Sequence, residues 1–153
     1  MNLTSKGQYA SRAILDLSVH YADGPVTIEE IAERQGVPRK YLGQVLLMLK
    51  RAGLVHSVRG RRGGYRLSRP PDQVTLGEVI RATDGPLAPI SCVSETTYRP
   101  CTCPSQETCG LRTVWREVSE AIADVLDRTS METIRERTEQ LQRARPDALM
   151  YHI

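Results

Sequence analysis

Residues 27–67 read TIEEIAERQGVPRKYLGQVLLMLKRAGLVHSVRGRRGGYRL, and the fold is decided by how this stretch is punctuated. Thr27 stands three residues before Glu30, the spacing of a capping box in which each side chain satisfies a backbone N–H at a helix start. The helix it opens turns Ile28, Ile31 and Ala32 to one side and stops at Gln35-Gly36. Pro38 begins the next helix, because its missing N–H would have no partner in a first turn. Tyr41, Leu42, Val45, Leu46 and Leu49 form that helix's apolar stripe, and Gly53 ends it. Two short helices joined through a glycine predict a helix-turn-helix, whose second helix lies in a DNA major groove. Residues 54–58 and 65–67 are β-type runs around Arg59-Gly60-Arg61-Arg62-Gly63-Gly64, which predicts a hairpin with a flexible basic tip. The hairpin is a wing, and the unit is a winged helix-turn-helix.

Working outward, residues 5–21 carry Tyr9, Ala13, Ile14, Leu15, Leu17 and Val19 at helical spacings until Asp23-Gly24-Pro25 stops the helix. Beyond Pro70-Pro71, a second capping box, Thr75 with Glu78, opens a helix through Val79, Ile80 and Ala82 that ends at Asp84-Gly85-Pro86. This helix is expected to pack on the winged unit. Residues 85–110 have no period and contain every cysteine, marking a functional loop. From Leu111, apolar residues recur at steps of three and four through Val114, Trp115, Val118, Ala121, Ile122, Val125 and Leu126, predicting a helix of about 18 residues. Its stripe is expected to meet a second copy of the chain, since DNA-binding dimers read paired half-sites; the alternative is a helix folded back on its own domain. The expected dimer contacts are Leu111, Val114, Trp115, Val118, Ile122 and Val125. A last capping box, Thr129 with Glu132, predicts a short helix fading into a polar tail from Arg143. The expected fold is mainly α with a small β-hairpin wing. Its organisation is a winged DNA-binding domain at 1–84, a cysteine loop at 85–110, a dimerisation helix and short helix at 111–142, and a tail at 143–153.

The size of 153 residues suits one domain with an attached helical element and leaves no room for a two-domain enzyme. Forty per cent apolar and 25% charged residues describe an ordinary globular chain, and with no Phe and one Trp the core must be aliphatic. No apolar run approaches the roughly 20 residues of a membrane span, and residues 1–6 lack a signal peptide's apolar stretch. The expected location is therefore the cytoplasm. The net charge of +3 conceals an asymmetry: Arg34 to Arg69 holds ten bases and no acid, leaving 11 bases against all 18 acids elsewhere. A cationic block in an otherwise acidic chain points to a polyanion, because neutralising phosphates releases condensed counterions. Within the block, Arg39, Lys40, Tyr41 and Gln44 occupy the exposed start of the recognition helix, where Gln has the amide geometry for adenine. Arg59, Arg61 and Arg62 sit on the wing tip, suited to phosphates or a narrow minor groove.

The four cysteines follow the pattern Cys92-x8-Cys101-x1-Cys103-x5-Cys109. A reducing compartment disfavours disulfides, and zinc sites take paired Cys-x2-4-Cys knuckles that this chain lacks. Thiolates on an irregular loop suit an iron–sulfur cluster, [2Fe–2S] or [4Fe–4S], and the helix N-terminus after Cys109 favours thiolate charge. A metal-free thiol switch through Cys101 and Cys103 is the alternative. No Ser-His-Asp group, phosphate loop or carboxylate pair emerges, and His20, His56 and His152 are scattered, so no enzymatic chemistry is expected.

Several motifs agree in order with one known family. Residues 3–10 (LTSKGQYA), 31–36 (IAERQG), Leu54-Val55 through Val58-Arg59-Gly60, Gly63-Gly64-Tyr65 and 75–80 (TLGEVI) resemble the bacterial IscR/NsrR/RirA-type winged helix-turn-helix regulators, over a stretch reaching about Leu126. The resemblance implies a homodimer crossed by a long helix, and a loop whose three cysteines hold an iron–sulfur cluster that controls promoter binding. Carried over, Cys92, Cys103 and Cys109 are the implied ligands, and Arg59 the wing residue that reads sequence. Arg112 stands where an IscR-type histidine ligand would be, and a guanidinium has no lone pair for iron. NsrR-like members recruit an aspartate from the partner's N-terminal region, where this chain has Gln8, with Asp16 two turns on. Cys101 is extra: a fourth ligand, a replacement for Cys103, or a redox partner.

Overall fold

The structure is a computed structural model and describes residues 3–145. Six α-helices and one two-stranded hairpin follow in the order α1 (Ser5–Val19), α2 (Ile28–Gln35), α3 (Arg39–Arg51), β1 (Val55–Val58), β2 (Gly64–Leu67), α4 (Leu76–Asp84), α5 (Gly110–Arg128) and α6 (Met131–Ala144). The expected mainly helical architecture with a small wing is what forms. Two of the three sequence-predicted capping boxes close, with Thr27 N bonded to Glu30 Oε2 at 2.7 Å and Thr75 N to Glu78 Oε2 at 2.9 Å. Gly36 ends α2 in the left-handed conformation (φ 60°, ψ 35°), which L side chains adopt at a cost.

Ala10, Ala13, Ile14 and Leu17 of α1 meet Ile31 of α2, Leu42, Val45, Leu46 and Leu49 of α3, and Val79 of α4 in one aliphatic core. Burying each larger side chain contributes about 1.5–3 kcal/mol, which holds the three-helix unit together without aromatic packing. The hairpin pairs Val55 with Leu67 and Val58 with Gly64. Val26 extends it, exchanging hydrogen bonds with Tyr65 at 2.9 and 2.7 Å. Gly64 is required there: its φ is 150°, and a Cβ would lie 2.4 Å from the Val26 carbonyl oxygen.

Three details differ from the sequence reading. Pro38 caps α3 from outside rather than occupying its first turn. The last helix is capped by Ser130, whose Oγ accepts from Thr133 N at 3.1 Å, and not by Thr129. The reason is that Thr129 still belongs to the preceding segment: its Oγ1 donates to Val125 O at 2.7 Å and its carbonyl accepts from Leu76 N at 3.0 Å. That helix is also longer than a fading short element. α6 runs 14 residues, buries Met131 and packs against α1, with Ile134 on the edge of the core. The part of the expected tail at 146–153, with His152, lies outside the described residues.

The long helix α5 contributes no buried residue. Leu111, Val114, Trp115, Val118 and Val125 are all exposed and Ile122 is half-buried. Among the described residues nothing covers this stripe. α5 is fastened to the winged unit from its other side, where Arg81 of α4 holds Asp127 bidentately at 2.5 and 2.8 Å. The helices approach so closely at Gly77 that a Cβ there would lie 2.0 Å from Asp127 Oδ1.

Candidate nucleic-acid interface and cysteine loop

α3 buries its Leu42, Val45, Leu46 and Leu49 face and so turns Arg39, Lys40, Tyr41 and Gln44 outward, all four exposed. On the wing, Arg59, Arg61 and Arg62 are exposed as well, and none has an ion-pair partner among the described residues. The wing turn closes by Gly63 N donating to Gly60 O at 3.0 Å. Recognition helix and tip thus present the seven side chains singled out by sequence.

The charge count of the basic block needs correction. Arg34 is not a duplex-facing base: its Nε and Nη2 donate to the buried Asp16 carboxylate at 2.9 and 2.8 Å, joining α2 to α1. Arg69 pairs with Glu78 at 2.8 Å, Arg66 donates to the Tyr21 carbonyl at 3.4 Å, and Lys50 donates to Ser57 Oγ at 2.7 Å. Arg39 itself is held by Glu29 of α2 at 2.5 Å. Among the described residues, the cations of the block with no ion-pair or side-chain hydrogen-bond partner are Lys40, Arg51, Arg59, Arg61 and Arg62. A count along the chain could not separate structural arginines from free ones, because their acids are distant in sequence.

The cysteine loop connects α4 to α5. Cys92 is buried beside a single 3-10 turn (Ser91–Val93), Cys101 and Cys109 are half-buried and Cys103 is exposed. Cys109 is the residue before α5, and its carbonyl accepts from Arg112 N at 3.2 Å in the first turn. Cys103 S–H and Cys103 backbone hydrogen bonds hold the Cys101 thiol below its usual range, and Cys92 also reaches Cys101. The Cys103 thiol, donating to Cys101 and facing Cys109, is pushed up to about 11. The thiols do not form a shell: no three His, Cys, Asp or Glu side chains among the described residues converge on a metal-sized centre. The donor set itself is suitable: four soft sulfurs on one irregular loop are the complement that iron–sulfur clusters use.

Arg112, the departure from a histidine ligand, has a defined place: its Nε donates to the Cys92 carbonyl at 3.1 Å. It fastens α5 to the loop and puts a permanent positive charge beside a thiol. Asp16 is fully committed to Arg34 and to Gln35 Nε2 at 3.0 Å, and Gln8 Nε2 donates to the Leu3 carbonyl at 3.3 Å. Sequence reasoning missed Glu29, the Asp16–Arg34 pair and the Arg81–Asp127 joint; only the Glu29–Arg39 pair had a local signal, an acid in the first turn of α2.

A three-helix unit with a turn glycine, an exposed polar recognition helix and a basic wing defines the winged helix-turn-helix class of DNA-binding regulators. Residues 3–137 match the Rrf2 family, described as an iron-dependent transcriptional regulator. The chain belongs to the Rrf2 family, and is accordingly a transcriptional regulator and not an enzyme. It is 41% identical over 134 residues to an rrf2-like helix-turn-helix regulator of Rhodobacter capsulatus, covering 85% of this chain and 89% of the relative. It is 42% identical over 131 residues to the regulator IscR of Aliivibrio salmonicida, covering 86% and 75%. Among solved structures, CymR, the global cysteine regulator of B. subtilis, superposes with a TM-score of 0.76 at 29% identity, covering 90% of this chain and 98% of that one. T. potens IscR superposes with a TM-score of 0.74 at 32% identity, covering 93% and 91%. No helix among the described residues is long and apolar enough to cross a membrane.

Proposed function

We propose that the chain works in the cytoplasm as a homodimeric regulator that binds paired operator half-sites under the control of an iron–sulfur cluster on the 85–110 loop. The observation that carries the reading is the placement of all four thiols on the one segment joining the winged unit to the exposed apolar helix α5. The family description and the IscR relatives support it. Cys92, Cys103 and Cys109 would hold the cluster with Cys101 as the fourth thiolate, which makes a histidine unnecessary where Arg112 stands. When bound, a [2Fe–2S] or [4Fe–4S] cluster supplies sensitivity to iron, oxidants or nitric oxide.

The remaining steps belong to the chain. Arg39, Lys40, Tyr41 and Gln44 read base edges in the major groove, while Arg59, Arg61 and Arg62 follow the minor groove and phosphates. Leu111, Val114, Trp115, Val118, Ile122 and Val125 bury against the partner's α5 and fix the distance between two recognition helices. Arg112 ties the loop to α5, and Arg81 with Asp127 ties α5 to α4, so a change in loop order is passed to both. The domain plan follows: 1–84 binds DNA, 85–110 senses, α5 dimerises and α6 packs back on α1 of the winged unit.

Anaerobically purified protein should show visible absorbance with matching iron and sulfide, lost on Cys→Ala change at 92, 103 or 109. Loss in Cys101→Ala identifies the fourth ligand. The likeness to CymR and the adjacency of Cys101 and Cys103 favour a second reading, a metal-free switch in which an oxidant takes two electrons from this dithiol, two protons leave and a disulfide forms. Protein that takes up neither iron nor sulfide but forms a Cys101 disulfide with peroxide replaces the first reading with the second.

A further inference from the structure

α5 has two working faces. Its apolar stripe looks outward, whereas Arg112, Arg116, Ser119, Glu120 and Ala123 share an adjoining side and line a cleft against α4 and the loop. The cleft has a volume of about 540 Å³, within the range of small-molecule sites. Leu87, Pro86, Val93 and Ala123 supply an apolar lining, with Cys92 among the walls.

The charges lining the cleft are only partly spent. Arg81 is neutralised by Asp127, and Arg112 is oriented by the Cys92 carbonyl. Arg116, Glu120 and Glu95 also line the cleft, and none of the three has an ion-pair or hydrogen-bond partner among the described residues. Arg116 and Glu120 are four apart on the same helix, yet Arg N-terminal to Glu is the weaker order for such a pair, and they do not bridge. Guanidinium and carboxylate groups left separate around one apolar-lined cleft match a ligand that carries both charges. A simple anion would be opposed by Glu95 and Glu120, and a simple cation by Arg112 and Arg116.

We propose that this cleft binds a small zwitterion of the α-amino acid class, its carboxylate on Arg112 and Arg116, its ammonium on Glu120 and Glu95, and its side chain against Leu87 and Val93. The site stands on the cleft alone and needs neither a cluster nor DNA. Because Arg112 is bonded to Cys92 O, occupancy would reach the cysteine loop directly. Each of the twenty amino acids is titrated calorimetrically into the full-length protein without DNA, beside two charge-deleted probes for any that binds, the matching amine and the matching carboxylic acid. At least one amino acid should bind saturably, one per chain, with both deleted probes much weaker. Arg116→Gln and Glu120→Gln should each lower affinity about tenfold or more, the scale of one charge-assisted hydrogen bond, while Arg137→Gln, on α6 and outside the cleft, changes nothing. Both tested side chains are exposed, so the helix is retained, and circular dichroism verifies it. Absence of saturable binding by all twenty, or binding indifferent to both cleft variants, overturns the site. Operator binding measured separately keeps that outcome distinct from failure of the regulator reading.

Discussion

The winged unit and α5 are built from the same aliphatic residue types and put them to opposite use. Leu42, Val45, Leu46 and Leu49 of α3 are 0–1% exposed, whereas Val114 and Val125 of α5 are 55% and 58% exposed. The first region is complete in one chain, its core closed and the starts of α1, α2 and α4 capped by threonines. The second is unfinished: an amphipathic helix attached by two arginines, Arg81 and Arg112, with its stripe uncovered. The lesson is that the amplitude of an apolar pattern reports that a face will be buried, and says nothing of whether the cover comes from the same chain.

The contrast breaks most sharply at matched substitutions. Leu46→Ala removes methyl groups from a sealed core and should cost about 2–5 kcal/mol, read as a lower urea midpoint at unchanged slope. The equivalent truncation Val114→Ala should leave the stability of a diluted monomer within about 0.5 kcal/mol; a core-sized loss there would mean that α5 is covered by its own chain. Ile122→Glu places two unpaired charges across a two-fold interface. Sedimentation should show monomers, with operator affinity falling because the half-sites are no longer tethered. A full-affinity dimer would remove α5 as the interface.

Smaller effects sharpen the division within the winged unit between arginines that build it and arginines that face outward. Arg61→Ala with Arg62→Ala should weaken operator and random duplex alike and flatten the salt dependence by about one unit per lost phosphate contact. Arg59→Ala is expected to change sequence preference as well. The smallest effect is at Glu29→Gln, which releases Arg39 from an exposed pair worth about 0.2–1 kcal/mol. DNA affinity should rise up to about fivefold in a gel-shift titration; a fall would mean that Glu29 positions Arg39 for base contact.

Much of the winged unit is legible along the chain because its signals are local. Thr27 with Glu30 and Thr75 with Glu78 are capping pairs three residues apart, Gly36 marks a turn by the conformation it permits, and the strands flank a glycine-rich tip. The same local logic misplaced the start of α6, since Thr129 and Ser130 are both good caps and the choice between them is made by Leu76 N bonding the Thr129 carbonyl. The basic block misled in a parallel way: Arg34 and Asp16, or Arg69 and Glu78, meet only after the helices pack.

By itself, then, the sequence determined the helices, the caps of α2 and α4, the wing, the exposed start of α3 and the gathering of four thiols on one loop. Each of these follows from periodicity, from backbone preference or from bonds spanning a few residues. Tertiary structure alone decided which arginines are structural, that α6 returns to α1, that Arg112 grips the Cys92 carbonyl, and that the polar side of α5 closes a cleft while its apolar side stays bare. These are contacts between groups tens of residues apart, and no pattern along the chain encodes which of several equally charged or equally apolar partners will lie within reach once the core has formed.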